Sequence, residues 1–261
     1  RGTAPGGLLN VVTKVYPTDL SGPEKLKPLV EMAGNNPLIR FYGKTKVASV
    51  KGYAGDFKAA LAGPDGSTAL RVGAVVLATG ARLLFPQGLY GYGKTKNVIT
   101  QMEMERQFAT GKVACRTAVF IQCVGARCAE RPYCSTICCP MSLKNAMRIL
   151  DEVPGSKAVI LHRDIMTPGS VLEAFYRKAL HRGVQFIRFD ADRPPEVKGN
   201  GQVSGVEVFD VLSGVTRSIE TDLLVLSTPL VADPDSAALA RMLEIPVDKH
   251  GFIAEVYPVH P

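Results

Sequence analysis

Residues 117–164 read TAVFIQCVGARCAERPYCSTICCPMSLKNAMRILDEVPGSKAVILHRD, and this stretch decides the fold. It opens with a largely apolar run, 117–124, of the kind that forms a strand buried on both faces of a parallel sheet. Apolar residues near helical spacing follow in 140–150, where a proline suits the first helical turn. A second apolar run covers 157–164. Strand, helix and strand over about 50 residues predict a βαβ unit.

The pattern continues on both sides of this unit. A helix over 171–182 and a strand over 184–189 predict a doubly wound α/β sheet. Alternating residues over 203–219 predict a hairpin that turns at Ser213-Gly214. In the N-terminal third we expect a helix near 22–33, short strands around 39–50 and a hairpin turn at 64–66. The apolar run 71–80, RVGAVVLATG, predicts a buried strand.

Five of the six cysteines lie between the first strand and the helix of the βαβ unit. Four of them fit the pattern C-x10-C-x3-C-C, namely Cys123, Cys134, Cys138 and Cys139. Four thiolates complete the coordination of a cubane iron-sulfur cluster, and this is the interpretation that we favour. Zinc is an alternative, although four-cysteine zinc sites usually contain C-x2-C pairs, which the sequence lacks. Redox-active or structural cysteines are a second alternative, and we expect Cys115 and Cys128 to be plain thiols.

The turn after the first strand lacks the usual nucleotide fingerprint. A dinucleotide-binding unit has G-x-G-x-x-G here, whereas this chain has only Gly125, and the cysteines occupy the place of the phosphate loop. Asp164 stands where an acid that binds ribose would lie, with an ordinary surface aspartate as the alternative. We interpret this nucleotide-binding scaffold as one that transfers electrons through a metal cluster in place of hydride transfer.

The runs 119–127, 131–139 and 142–146 closely resemble the A-type flavoprotein subunits of heterodisulfide reductase, and shorter matches to this family extend over most of the chain. This resemblance implies a thioredoxin-reductase-like fold, bound FAD, a 4Fe-4S cluster on the cysteine loop, and electron transfer within a multi-subunit complex. It assigns the metal-ligand role to Cys123, Cys134, Cys138 and Cys139. It also assigns contacts with FAD to Gly6, Gly7, Ala78, Thr79 and Gly80.

The resemblance further implies a domain plan. We expect 1–85 and 222–261 to form two parts of a partial FAD-binding domain, 86–110 to be a connector, and 111–221 to be a Rossmann-like domain that carries the cysteine loop. The chain has no G-x-G-x-x-G, and Tyr257–Pro261 resemble the approach to a closing FAD motif. We therefore expect a fragment of a longer flavoprotein that, taken alone, binds FAD weakly or not at all.

Composition narrows the range of partners. The net charge is +7, but lysine and arginine are scattered and no aromatic-basic stripe appears, which disfavours a nucleic-acid role. The sequence contains no apolar run of the length that spans a membrane and no secretory signal. Reduced cysteines point to the cytoplasm. We expect the partners to be other redox subunits. The sequence is also compatible with a homodimer.

The leading functional prediction is an oxidoreductase piece that relays electrons between FAD and the cluster, with no catalytic residue assigned. One alternative is an NAD(P)H-dependent disulfide reductase with a redox-active pair, since C-x4-C spacings join Cys123 to Cys128 and Cys134 to Cys139. Another alternative is a module in which the cysteines bind zinc and dock a partner protein.

Overall fold

The computed structural model describes residues 5–18 and 20–255, which fall into two compact units. The first unit takes its described residues from 1–10, 24–82 and 230–261, and the second is formed by 11–23 and 83–229. The motif expected at Tyr257–Pro261 lies outside the described residues.

The elements follow one another along the chain and are numbered here in that order. The helices are α1 (Gly22–Gly34), α2 (Gln101–Ala109), α3 (Cys138–Glu152), α4 (Ser170–His181) and α5 (Pro234–Leu243). The strands are β1 (Lys46–Tyr53), β2 (Asp56–Gly63), β3 (Gly66–Val72), β4 (Arg82–Leu83), β5 (Val98–Thr100), β6 (Thr117–Ile121), β7 (Lys157–His162), β8 (Gln185–Arg188), β9 (Glu196–Gly199), β10 (Val203–Asp210), β11 (Val215–Glu220), β12 (Leu223–Leu226) and β13 (Leu230–Val231).

The first unit contains an antiparallel meander in the order β1-β2-β3. The hairpin turn predicted at 64–66 is confirmed, since Gly63 pairs with Gly66. The buried strand predicted over 71–80 is wrong, because β3 ends at Val72 and Val76 is 88% exposed. No described strand pairs with 74–80, so the apolar side chains of this run have no sheet in which to lie.

The second unit is built on a parallel sheet in the order β5-β12-β6-β7-β8. The predicted βαβ unit is confirmed as β6-α3-β7, and α4 and β8 extend it. One face of the sheet packs on α2, α3 and α4 through side chains such as Phe120, Leu143 and Ile160. Alternate strand residues, such as Val119, pack on the other face against Val206 of β10. This alternation is typical of strands that are buried on both faces.

The two helices beside the cysteines begin differently. Thr100 caps α2 in a capping box, in which its side chain and that of Glu103 each bind the other's backbone N–H. Ile137 precedes α3 and offers no side-chain cap. The first turn of α3, which begins with Cys138, therefore leaves backbone N–H groups available to other acceptors. Within the described part of the chain, no helix has the length and apolar composition that crossing a membrane requires.

Candidate functional site

The cysteine loop, residues 123–139, leaves the carboxyl end of β6 and runs into the first turn of α3. Cys123 begins the loop, and Cys138 and Cys139 are the first two residues of the helix. In sheets of this kind ligands bind beyond the carboxyl ends of the strands. The fold thus places the predicted ligands where such a sheet builds its binding sites.

The four predicted ligand thiols lie close enough to influence one another. Burial raises the pKa of Cys138, and charge on Cys139, Cys123 and Cys134 raises it further. Burial also raises the pKa of Cys139 to about 11, with smaller contributions from Cys123 and Cys134. Four thiolates together in this environment repel one another, and those of Cys138 and Cys139 are also poorly solvated. A positively charged centre among them would relieve both effects.

One backbone group donates a hydrogen bond to a cysteine sulfur. The N–H of Thr136 lies 3.4 Å from the sulfur of Cys134 and donates to it. At Cys139 the backbone of Met166, in the loop after β7, opposes the effect of burial on the pKa of the thiol. Donors of this kind stabilise thiolates over thiols and also tune the potential of sulfur-bound metal clusters.

The cysteine loop is bent sharply at residues that are not glycine. Cys123, Arg127 and Thr136 have φ angles of 61°, 53° and 56°, in the left-handed region. Such conformations cost roughly 1–3 kcal/mol each and cluster at functional sites. The only glycine of the loop, Gly125, has φ 73°, and a Cβ there would lie 2.3 Å from Leu84 Cδ2. The packed loop therefore holds its cysteines in a strained but defined arrangement.

The remaining two cysteines are placed differently. Cys115 is 7% exposed in the core under α2, and burial, followed by the charge of Asp222, raises its pKa to about 11. Cys128 lies within the loop, where its backbone N–H and C=O bond to Arg131. All six cysteines are free thiols.

A mononuclear metal site is not preassembled. Among the described side chains, no group of three or more His, Cys, Asp or Glu residues converges closely enough to hold a single ion. A cubane cluster places its four thiolates on four different irons, so it holds the sulfur atoms farther apart than one zinc ion does.

A buried ion pair beside α3 is a feature that sequence reasoning missed. Lys144 is 5% exposed and bonds to the carboxylate of Glu105 on α2, which is fully buried. The other oxygen of Glu105 accepts hydrogen bonds from the backbone N–H of Thr13 at 2.9 Å and from its hydroxyl at 2.6 Å. Glu105 balances the charge of Lys144. Only the rule that buried charges are paired could have signalled this contact.

Asp164, which the sequence placed at a ribose site, contacts arginines instead. Its carboxylate lies 2.8 Å from Arg127 Nη2 and 3.8 Å from Arg188 Nη2. Arg127 belongs to the cysteine loop, and its charge opposes the burial that raises the pKa of Cys123. The loop after β7 is therefore tied to the cysteine loop through charge.

The residues predicted to contact FAD all belong to the first unit. Gly6, Gly7 and Gly80 have φ angles of 115°, 50° and 69°, which only glycine adopts freely. A Cβ at Gly6 would lie 2.3 Å from Leu26 Cδ1, whereas Gly7 and Gly80 face open space. Contact of these residues with FAD stays a prediction.

Comparison with known proteins gives relatives over most of the chain. It is 39% identical over 186 residues to the A-type iron-sulfur subunit of the CoB–CoM heterodisulfide reductase of Methanocaldococcus jannaschii. The aligned region covers 65% of this chain and 28% of that protein. It is 36% identical over 209 residues to the A-type subunit of the H2/formate:CoB-CoM heterodisulfide,ferredoxin reductase of Methanococcus maripaludis, covering 72% and 31%. The chain therefore spans less than a third of the length of these relatives. No protein-family model matches it.

Solved structures identify the fold. The thioredoxin reductase of Lactococcus lactis superposes with a TM-score of 0.59 at 18% identity, covering 98% of this chain and 75% of that one. The thioredoxin reductase of T. acidophilum superposes with a TM-score of 0.58 at 18% identity, covering 96% and 73%. The predicted thioredoxin-reductase-like fold is confirmed.

Proposed function

This chain belongs to the family of A-type heterodisulfide reductase subunits over the region that it shares with its curated relatives, and we propose that it serves there as an electron relay. In this proposal Cys123, Cys134, Cys138 and Cys139 hold a 4Fe-4S cluster. The cluster exchanges electrons with an FAD that the glycine loops of the first unit help to bind. The chain would act as part of an oxidoreductase.

The mutual electrostatic influence of four thiols on one loop is the observation that carries the proposal. Cys123, Cys134, Cys138 and Cys139 influence one another electrostatically, whereas Cys115 lies in the core. This selection matches the ligand set that the spacing predicts. It supplies one thiolate for each iron of a cubane.

The beginning of α3 favours a negatively charged ligand. Cys138 and Cys139 occupy the first turn of a 15-residue helix that has no side-chain cap. The positive end of the helix dipole and the available N–H groups stabilise anions at this point. Thiolates bound to a cluster carry such charge, so this helix end offsets part of the repulsion among them.

When bound, a cluster of this type accepts and donates single electrons. The residues of the chain then have three tasks. The loop fixes the thiolates, the backbone N–H of Thr136 stabilises the charge of Cys134, and buried neighbours such as Val124 exclude water. Rigid, dry surroundings lower the reorganisation that accompanies a change of charge.

We propose that FAD binds to the longer flavoprotein of which we expect this chain to be a fragment. The thioredoxin-reductase-like fold supports FAD as the cofactor. The 261 residues contain no G-x-G-x-x-G, the motif whose backbone N–H groups receive the pyrophosphate. We expect this chain alone to bind FAD weakly, and flavin fluorescence titration tests that expectation.

Partners follow from the names of the relatives, which are subunits of heterodisulfide reductases. We propose that this chain delivers electrons to another redox subunit of such a complex. A homodimer stays a prediction, and sedimentation at several protein concentrations tests it.

Anaerobic reconstitution tests the proposed cluster directly. The chain is incubated with ferrous iron and sulfide, desalted, and assayed for iron, acid-labile sulfide and zinc. We expect about four irons per chain, broad visible absorption, and an EPR signal after reduction with dithionite. Binding of zinc with no iron would favour the docking module. Reversible loss of two thiols without metal would favour the disulfide reductase.

A further inference from the structure

An open cavity of about 250 Å³ lies in the second unit, between α3, α4 and the segment that contains Lys14 and Thr18. Residues 144, 148 and 151 of α3 line it, and so do residues 175, 178 and 182 of α4. These spacings place each set on one face of its helix. None of the described residues that line the cavity is a cysteine. The cavity is therefore separate from the cysteine loop.

The lining of this cavity is strongly basic. Among the described lining residues, Asp151 supplies the one carboxylate. The same lining contains five cationic side chains, namely Lys14, Lys144, Arg148, Lys178 and Arg182. A surplus of positive charge in a concave surface concentrates the electric field there and attracts anions.

Carboxylates compensate only part of this charge. The pairs are Lys144 with Glu105, Arg148 with Glu152, and Arg182 with Asp151. Lys14 and Lys178 have no carboxylate partner among the residues that the structure describes. Two positive charges are therefore left over at the cavity, which is the charge that a phosphate group neutralises when it is doubly ionised.

The cavity offers hydrogen-bond donors as well as charge. The side chain of Lys144 is 5% exposed and carries three N–H groups, of which one bonds to Glu105. The guanidinium of Arg182 carries five, of which one bonds to Asp151. Met147 and Phe175 also line the cavity and are both buried, so they form an apolar wall. Such surroundings strengthen hydrogen bonds to an anion.

The volume of the cavity selects a small ligand. Pockets that enclose drug-sized molecules measure roughly 300–1,000 Å³. This cavity, at about 250 Å³, lies below that range. It has room for a phosphate group with a short organic substituent, whereas a whole nucleotide is too large.

We propose that this cavity binds a doubly ionised phosphate group, either as free phosphate or as the monoester of a small molecule. Lys14 and Lys178 supply the attracting charge, and Lys144 and Arg182 supply donors that their carboxylate partners hold in place. The site needs neither the cluster nor FAD, so the inference goes beyond the proposed electron relay.

Methionine-methyl NMR of the 261-residue chain tests this site, because Met147 lines the cavity. Inorganic phosphate and glycerol phosphate are titrated separately at about pH 8, where both are doubly ionised. We expect a saturable shift of the Met147 signal with a dissociation constant of about 1 mM. Added sodium chloride should weaken the binding. The tighter of the two probes identifies the free ion or the ester as the preferred form.

Substitution of the two unpaired lysines tests the source of the affinity. Lys14→Gln and Lys178→Gln should each weaken binding about threefold, as is typical of partly exposed charges, and the double variant about tenfold. Lys94→Gln is the matched control and should bind as the wild type does. Lys94 is exposed and lies close in sequence to Tyr92, which packs in the core on the opposite face of the sheet. Circular dichroism verifies that each variant is folded.

Three results would overturn the inference. The first is the absence of a saturable Met147 shift with either probe up to roughly 10 mM. The second is unchanged affinity in the folded double variant, because the anion would then bind elsewhere. The third is equally tight binding of succinate, a dicarboxylate of the same charge, which would show that phosphate is not what the site recognises. None of these measurements involves iron, so the proposed function is tested separately.

Discussion

The side-chain amide of Gln122 donates a hydrogen bond to the hydroxyl of Ser142 at 2.5 Å. Gln122 immediately precedes the cysteine loop, and Ser142 lies one turn into α3. The same hydroxyl accepts from Gln101 at 2.6 Å and lies 3.0 Å from that of Ser227. All four side chains are buried. This network connects the residue before the cysteine loop to the helix that follows the loop. In addition, Oε1 of Gln122 lies 3.9 Å from the sulfur of Cys139.

Ser142→Ala should destabilise the chain by about 1–3 kcal/mol, because it leaves the buried side-chain amide of Gln122 without its acceptor. Urea unfolding followed by circular dichroism measures the change. Ser218→Ala, at an exposed position on β11, is the matched control and should stay within about 0.5 kcal/mol of the wild type. Equal stability of the two variants would show that the network contributes nothing.

Cys134→Ala should abolish assembly of the cluster and leave the fold intact, since Cys134 is exposed and its removal leaves no cavity. Iron content after anaerobic reconstitution measures the first effect, and far-ultraviolet circular dichroism the second. Cys128→Ala is the control from the same loop and should retain iron, as should Cys115→Ala. Full iron content in Cys134→Ala would remove it from the ligand set, and loss of iron in Cys128→Ala would add that residue.

Our correct predictions of the fold rest on patterns formed by residues that are close together in the sequence. The apolar runs of β6 and β7 show their burial directly. The strand expected around Val76 failed because a strand also needs a neighbour in the sheet. The contact between Lys144 and Glu105 joins residues 39 positions apart, which no local pattern reveals.

His162 should make stability depend on pH. Burial, followed by the charge of Arg188, lowers its pKa to about 4, and its Nδ1 is buried without a hydrogen-bond partner among the described residues. Below its usual pKa of about 6.5, the unfolded chain binds a proton that the folded chain does not. Stability should therefore fall as the pH decreases from about 6.5 toward 4.

Unfolding by urea at several pH values in that window measures the effect for the wild type and for His162→Gln. The variant should lose less stability than the wild type as the pH falls. The number of protons taken up on unfolding should be smaller in the variant by up to about one. His181→Gln, at an exposed position on α4, serves as the control and should follow the wild type. Identical pH profiles for His162→Gln and the wild type would show that His162 is not held neutral.

Nicotinamide dinucleotides should bind poorly to the second unit. The turn after β6 has one glycine, Gly125, whose carbonyl accepts a hydrogen bond from Arg131 Nε at 2.5 Å and whose Cβ position is filled by Leu84. The pyrophosphate therefore meets no nest of N–H groups that could replace its water. We expect dissociation constants weaker than about 10 μM, or roughly −7 kcal/mol, for NADH and NADPH alike. Calorimetry measures both, and one-to-one binding tighter than this limit would contradict the prediction and favour the disulfide reductase.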